Sequence, residues 1–231
     1  RYSSLNYKDG LSCIGNPGVT RNYPHTPGVD ASGEVTESSD SRFKEGDSVI
    51  VTGYDLGMNT SGGFGQYIRV PADWVVPLPE GMTFKEAAIY GVAGFTAALS
   101  VDALQKHGVN PEHGEIVVTG STGAVGRRVC ARLAADGHDV VGLDRRSSVP
   151  PAPGVQIRVV DLAVADLRDL LTGVDAVVHL ASGVMAGDVG GNTGHDRLAV
   201  VERLLAAAGD VGVGHLVVRS SAMVYGAWPD N

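Results

Sequence analysis

The stretch that most limits what this chain can fold into is Ile116–Gly126, which reads I-V-V-T-G-S-T-G-A-V-G. A short β-branched run ends in three glycines, Gly120, Gly123 and Gly126. An amphipathic segment follows, with Val125, Val129 and Leu133 spaced for one helical face. A second apolar run, Val140–Leu143, ends in Asp144. Strand, glycine turn, helix, strand and acidic residue form a plan that cradles a dinucleotide. The first glycine permits the tight turn, the second lets a pyrophosphate approach the backbone, and the third lets helix and strand pack closely. Gly120, Thr122, Gly123, Ala124, Val125 and Gly126 are therefore the expected phosphate contacts, aided by the partial positive charge of the helix N-terminus.

Composition narrows the rest. The chain has 231 residues and a formal net charge of -8, which argues against a nucleic-acid groove lined with Lys and Arg. Two cysteines, Cys13 and Cys130, fit a reduced, cytoplasmic protein. No run of apolar residues approaches a membrane span and no signal peptide is visible, so no membrane partner is expected.

The first 80 residues or so read as short strands with frequent turns. Strands are expected at Gly33–Glu37, Asp47–Thr52 and Gln66–Val70, in a small barrel-like module. Thr83 and Glu86 have capping-box spacing ahead of two buried helices, Ala87–Tyr90 and Thr96–Leu104, interrupted by Gly91 and Gly94. Beyond Gly114, strands are expected near Ile116–Thr119, Asp139–Leu143, Gln156–Val160, Ala176–Leu180 and His215–Arg219. Helices are expected near Ala124–Asp136, Ala165–Thr172 and His195–Ala208, the last burying Leu198, Val201, Leu204, Leu205 and Ala208. This alternation predicts an α/β fold with a Rossmann-type parallel sheet over 113–231, preceded by a separate module over 1–112.

Several ordered motifs of the N-terminal half resemble the medium-chain dehydrogenase/reductase superfamily, in its branch of quinone oxidoreductases and acryloyl-CoA reductases. They are Tyr2–Gly10, Tyr23–Asp30, Arg42–Asp47, Val51–Gly57, Gly62–Tyr67 and Gly91–Leu99, and the likeness runs over residues 1–126. It implies a partial GroES-like β-barrel at the N-terminus and reduction of an activated C=C bond by NAD(P)H. Zinc-dependent members carry Cys-x-x-Asp and Gly-His-Glu where this chain has Asn6-x-x-Asp9 and Gly28-Val29-Asp30. Val29 cannot ligate, and two cysteines cannot build a four-cysteine site, so no metal is expected. Enone reduction without a metal needs a group to polarise the carbonyl and one to protonate carbon. Asn6 is a candidate to hydrogen-bond the nicotinamide ribose or the substrate, and Tyr54 to donate a proton or a hydrogen bond; the alternatives are that Asn6 caps a turn and Tyr54 packs at a strand end. Tyr7 and His25 read as structural and loop residues. By the resemblance Thr96 lies near the nicotinamide; otherwise it is a core threonine.

From Gly126 onward the likeness changes. His138–Arg145, Val159–Leu162, Val174–Ala181 and His215–Gly226, with the glycine turn itself, resemble extended short-chain dehydrogenases of the NAD-dependent epimerase/dehydratase family over 113–231. The chain thus reads as a chimera. Ligands of such sheets bind beyond the strand ends, where Asp144, Asp161, Ala181, Ser182 and Ser220 lie. Asp144 favours NAD, Arg145 and Arg146 favour the extra phosphate of NADP, and both cofactors stay open. The resemblance puts Asp161 and Leu162 against the adenine, Asp161 being otherwise a helix cap. It makes Ser221 the counterpart of a catalytic serine whose partners are a Tyr-x-x-x-Lys pair. None of tyrosines 2, 7, 23, 54, 67, 90 and 225 has a lysine four residues later. The expectation is a zinc-free NAD(P)H-dependent reductase of a small-molecule enoyl thioester or quinone-like enone, forming a homodimer as both resemblances imply. The alternatives are an epimerase or dehydratase of a nucleotide sugar, and an inactive dinucleotide-binding fusion.

Overall fold

A computed structural model describes residues 1–146, 150–181 and 193–219, with the course of the backbone alone at 193–197. The chain divides into two compact units, Arg1–Phe95 and Thr96–Asn231. The division falls inside a helix rather than at 112/113. The reason is that Ala97, Val101 and Leu104 belong to the hydrophobic core of the second unit.

The first unit is built on a three-stranded antiparallel sheet of β1 (Asp30–Glu34), β2 (Ser48–Thr52) and β3 (Val75–Pro77), in that order. β1 begins three residues before the expected strand. Its D-A-S-G-E sequence carries no β-branched signal, and its pairing with β2, Asp30 against Thr52 through Glu34 against Ser48, sets it instead. Helix α1 (Tyr7–Cys13) was not foreseen. Its cue is Asn6 followed by Asp9, whose carboxylate accepts from the Asn6 N–H at 2.7 Å, one half of a capping box. Gln66–Val70 forms no strand. The preceding loop instead docks through its backbone: the N–H groups of Gly62, Gly63 and Phe64 donate to Thr26, Gly28 and Pro27. Only glycine tolerates this approach, since a Cβ at Gly28 would lie 2.6 Å from the Gly63 nitrogen.

Helix α2 (Phe84–Lys106) opens on the expected Thr83–Glu86 capping box. It breaks at Gly91, which has φ 51°, but not at Gly94. A side chain at Gly94 would press on Tyr90 Cβ at 2.8 Å, so glycine there serves packing. By length and composition α2 is apolar enough to cross a bilayer, contrary to the reading of the sequence. Core helices meet the same measure, and Ala97, Val101 and Leu104 of α2 are core residues.

The second unit is the expected parallel sheet, ordered β6-β5-β4-β7-β8. The strands are β4 (Glu115–Thr119), β5 (Val140–Asp144), β6 (Val155–Val159), β7 (Val174–His179) and β8 (His215–Val218). Alternation divides the strands between two cores. Ile116, Val118, Val140, Ala176 and Val178 share one with α2 and with α3 (Ala124–Ala135). Val117, Val141, Leu143 and Val177 share the other with α4 (Leu167–Leu171) and α5 (Thr193–Val211). Burial on both faces explains why these strands are continuous apolar runs. On α5 the buried stripe is Leu204, Ala207 and Ala208, with Val200 and Val211 packed against it, while Leu198 and Leu205 are exposed. The helix is therefore rotated from the expected face, following the period 200, 204, 207, 211.

Candidate functional site

The central strand β4 delivers the chain to the glycine turn. Gly120 sits at φ 67°, and a Cβ there would meet Ala181 N at 2.8 Å. A Cβ on Gly126 would strike the carbonyl of Gly120 and come within 2.8 Å of Ser121 Cα. Gly123 differs: its only near neighbour would be the Gly120 oxygen, at 3.2 Å. Packing thus dictates the outer two glycines, while the middle one leaves a backbone surface open to a ligand. Gly123 is the N-cap of α3, no side chain caps that end, and the first turn of α3, starting at Ala124, Val125 and Gly126, holds no acidic residue. A helix N-terminus with no side-chain cap and no carboxylate in its first turn suits an anionic pyrophosphate.

Two polar contacts brace the glycine turn. Asp144, at the end of β5, accepts from Thr122 N at 3.0 Å and Thr122 Oγ1 at 2.7 Å through one oxygen. Its other oxygen accepts from Arg146 N at 3.3 Å, and Arg145 and Arg146 are exposed beside it. Thr119 Oγ1 accepts from the N–H groups of Leu180 and Ala181, both at 3.2 Å, so its own proton points to His179 Nδ1, 2.8 Å away. That geometry assigns the Nε2–H tautomer to His179. Burial, with Arg219 adding to it, holds His179 below the ordinary histidine pKa. This pair at the ends of β4 and β7 was missed in the sequence, where His179 sits inconspicuously in an apolar run.

Other expected contacts have local roles. Asp161 Oδ1 accepts from Ala163 N at 3.0 Å in a turn, and Asp166 is the residue that caps α4. Leu162 is buried in the core with Val117 and Leu143. Ala181 is half-buried beside the glycine turn, and Thr96 is half-buried on α2, its carbonyl accepting from Ser100 Oγ. Ser182, Ser220 and Ser221 lie outside the described residues. Cys130 is buried in α3, and burial pushes its thiol up to about 12, so it behaves as a small apolar side chain.

In the first unit the structure brings Asn6 together with two carboxylates. Asp30, 3% exposed, accepts from Ser4 N at 2.6 Å, Asn6 Nδ2 at 3.2 Å, Val92 N at 3.3 Å and the Ser4 hydroxyl. Asp9, fully buried, accepts from Gly28 N and Val29 N as well as Asn6 N. Burial raises the Asp9 pKa against the pull of these N–H groups, and Asp30 adds to the rise. Asn6 Nδ2 also donates to Ser4 Oγ at 2.9 Å, so both of its hydrogens are engaged within the protein. Gly91 closes the arrangement, since a Cβ there would lie 2.6 Å from Ser4 Oγ. Tyr54 stands elsewhere in this unit, stacked on Trp74 with its hydroxyl donating to Asp73 O at 3.3 Å. His25 packs edge-on against Tyr23, and its Nε2 is buried without a partner. Among the described residues no three of His, Cys, Asp and Glu gather as a metal cluster.

Fold and site together define a two-unit α/β protein in which a GroES-like module precedes a Rossmann-type dinucleotide fold. The chain belongs to the NAD dependent epimerase/dehydratase family, whose model matches residues 116–231, while residues 1–80 match the alcohol dehydrogenase GroES-like domain. Among curated proteins it is similar to the putative quinone oxidoreductase YhfP of Bacillus subtilis, 51% identical over 140 residues, covering 61% of this chain and 42% of that protein. It is also similar to the acrylyl-CoA reductase AcuI of Ruegeria pomeroyi, 50% identical over 146 residues, covering 63% and 44%. The chain thus spans less than half the length of these curated relatives. Among solved structures it resembles the yhdH oxidoreductase of Salmonella enterica in complex with NADP, with TM-score 0.72 and 32% identity over 96% of this chain and 72% of that one. Bacillus subtilis yhfP with NAD bound gives TM-score 0.71 and 35% identity over 95% and 71%. In a chain of 231 residues, a match of 140 residues and one over 116–231 must overlap.

Proposed function

We propose that this chain is a nicotinamide-dinucleotide-dependent oxidoreductase that reduces an activated carbon–carbon double bond, in an enoyl thioester or a quinone-like enone, without zinc. The observation that carries the reading is the glycine turn, where packing dictates Gly120 and Gly126 while Gly123 keeps the backbone open. The names of the relatives, quinone oxidoreductase and acrylyl-CoA reductase, support the reaction class. When bound, NAD or NADP supplies the hydride. The residues of the chain would bind and orient it: the first amides of α3, at Ala124, Val125 and Gly126, would hold the pyrophosphate, while those of Thr122 and Gly123 are tied to Asp144 and to the Gly120 carbonyl. Asp144 has one oxygen fixed by Thr122 and would offer the other to a ribose hydroxyl, which favours NAD. Arg145 and Arg146 would serve the phosphate of NADP if that form is taken.

The zinc-free reading rests on donor chemistry. Val29 has no ligating atom, and the Asn6 amide nitrogen is held by Ser4 and Asp30. Asn6 can therefore offer a ligand only its carbonyl oxygen, as an acceptor for a hydroxyl or N–H.

Fluorescence titration with NADH and NADPH tests the site. Uptake is expected in the wild type, and Gly123→Val should weaken it about a hundredfold by placing a branched side chain on the phosphate approach. Absence of uptake by the wild type overturns the reading. Loss of NAD(P)H absorbance on adding 1,4-naphthoquinone or an enoyl-CoA tests the reaction. The family match over 116–231 favours a second reading, an epimerase or dehydratase of a nucleotide sugar, which turnover of a UDP-sugar would establish in its place.

A further inference from the structure

Tyr54 belongs neither to the glycine turn nor to the Asp30 network, yet its backbone takes a conformation that favours glycine. At φ 53° it is the one non-glycine residue in the left-handed region among the described residues. Gly53 and Gly57 share that region and meet the needs of the tight loop at no steric cost. A bulky residue there persists only where its surroundings hold it, and such strain gathers at functional positions. The holding groups are visible. Gly53 N donates to Val29 O at 3.0 Å, and the Tyr54 hydroxyl donates to Asp73 O at 3.3 Å. The indole of Trp74 lies parallel to the phenol ring, 5.3 Å between centroids and 5° between planes.

Trp74 covers one face of the ring, and Tyr54 is still 62% exposed. A strained, tethered and backed aromatic ring with its far side in solvent is preordered to stack, because little freedom is left to lose on binding. The carboxylates at its rim are occupied: Asp73 is paired with Arg42 at 2.6 Å, and Asp55 accepts from Asn59 and Thr60. The register places this ring two residues beyond Thr52, the partner of Asp30 across β1 and β2.

We propose that Tyr54, backed by Trp74, is a stacking shelf for a planar conjugated ring. The ring is either the quinone nucleus of the acceptor or the adenine of a nucleotide-bearing thioester; this choice of sources rests on the reductase reading above. On this view the Tyr54 hydroxyl is a tether and not a proton donor.

Equilibrium dialysis of 1,4-naphthoquinone and of adenosine tests the shelf, with oxidised NAD at saturation so that adenosine cannot occupy the glycine turn and the quinone is not reduced. Tyr54→Gly suits the left-handed backbone and removes the ring; Tyr54→Phe keeps the ring and removes the tether. Tyr54→Gly should weaken uptake of one probe about tenfold, the scale of a lost aromatic stack, and Tyr54→Phe should stay within about twofold. The weakened probe identifies the source. If the wild type binds neither probe, or Tyr54→Gly binds both as tightly as the wild type, the shelf is overturned. NADH uptake by Tyr54→Gly, measured alongside, separates this failure from failure of the nucleotide site.

Discussion

The two units of this chain differ in how much apolar side chain they bury. In Thr96–Asn231, twenty-five buried apolar side chains are found among the described residues; in Arg1–Phe95 there are five. Each unit buries five polar residues, so in the first, with Asp9, Ser12, Thr20, Asp30 and Ser32, they equal the apolar ones among the described residues. One unit is held by apolar area on the two faces of a sheet. The other is held by hydrogen bonds converging on two carboxylates and by glycines whose backbones touch. Apolar area tolerates some inexactness, whereas a buried polar network is stable only when every member is paired. The second unit is thus a sturdy platform for the glycine turn, and the first a set of fixed polar groups around Asn6, Asp9 and Asp30.

The largest effect should come from the carboxylate. Asp30→Ala strands donors from Ser4, Asn6 and Val92, and should cost roughly 4 kcal/mol, more than one unsatisfied buried group alone. Hydrogen exchange should show lost protection in β1 while β4 stays protected; a small, uniform change would break the comparison. Leu133→Ala is the converse. It empties a fully buried site between α3 and the sheet and should cost about 3 kcal/mol, read by urea denaturation, with β4 now the weakened strand.

The smallest effect concerns pH, where the units should respond with opposite sign. Burial holds His179 and His138 below the ordinary histidine value of 6.5, so the unfolded chain binds protons that the folded one refuses. Their contribution is whole above pH 6.5 and is lost as pH falls through the lowered folded values. Asp9 has a folded pKa raised above 3.8, so its contribution is whole below 3.8 and is lost as pH rises through the raised value. Acidification from pH 7 to 5.5 should therefore weaken β4 and β7 in hydrogen exchange without a matching loss in β1. His179→Gln should flatten that slope, and an unchanged slope would remove His179 from the account.

The sequence by itself determined the strands and the glycine turn of the second unit, though not the face that α5 buries. A parallel sheet buried on both faces writes itself as runs such as Ile116–Thr119 and Ala176–Leu180, and the glycine trio, Thr122 and Asp144 stand in one local motif. The capping box at Thr83 was legible for the same reason, since its partners lie three residues apart. Tertiary structure alone decided the rest. Asp30 gathers donors from positions 4, 6 and 92, His179 meets Thr119 sixty residues away, and the left-handed Tyr54 leans on Trp74. Gln66–Val70 had the composition of a strand, but the glycine contacts before it place no partner strand beside it. Apolar periodicity is a local property that a reader of the chain can count, whereas polar networks and backbone close approaches join distant residues and leave no period behind.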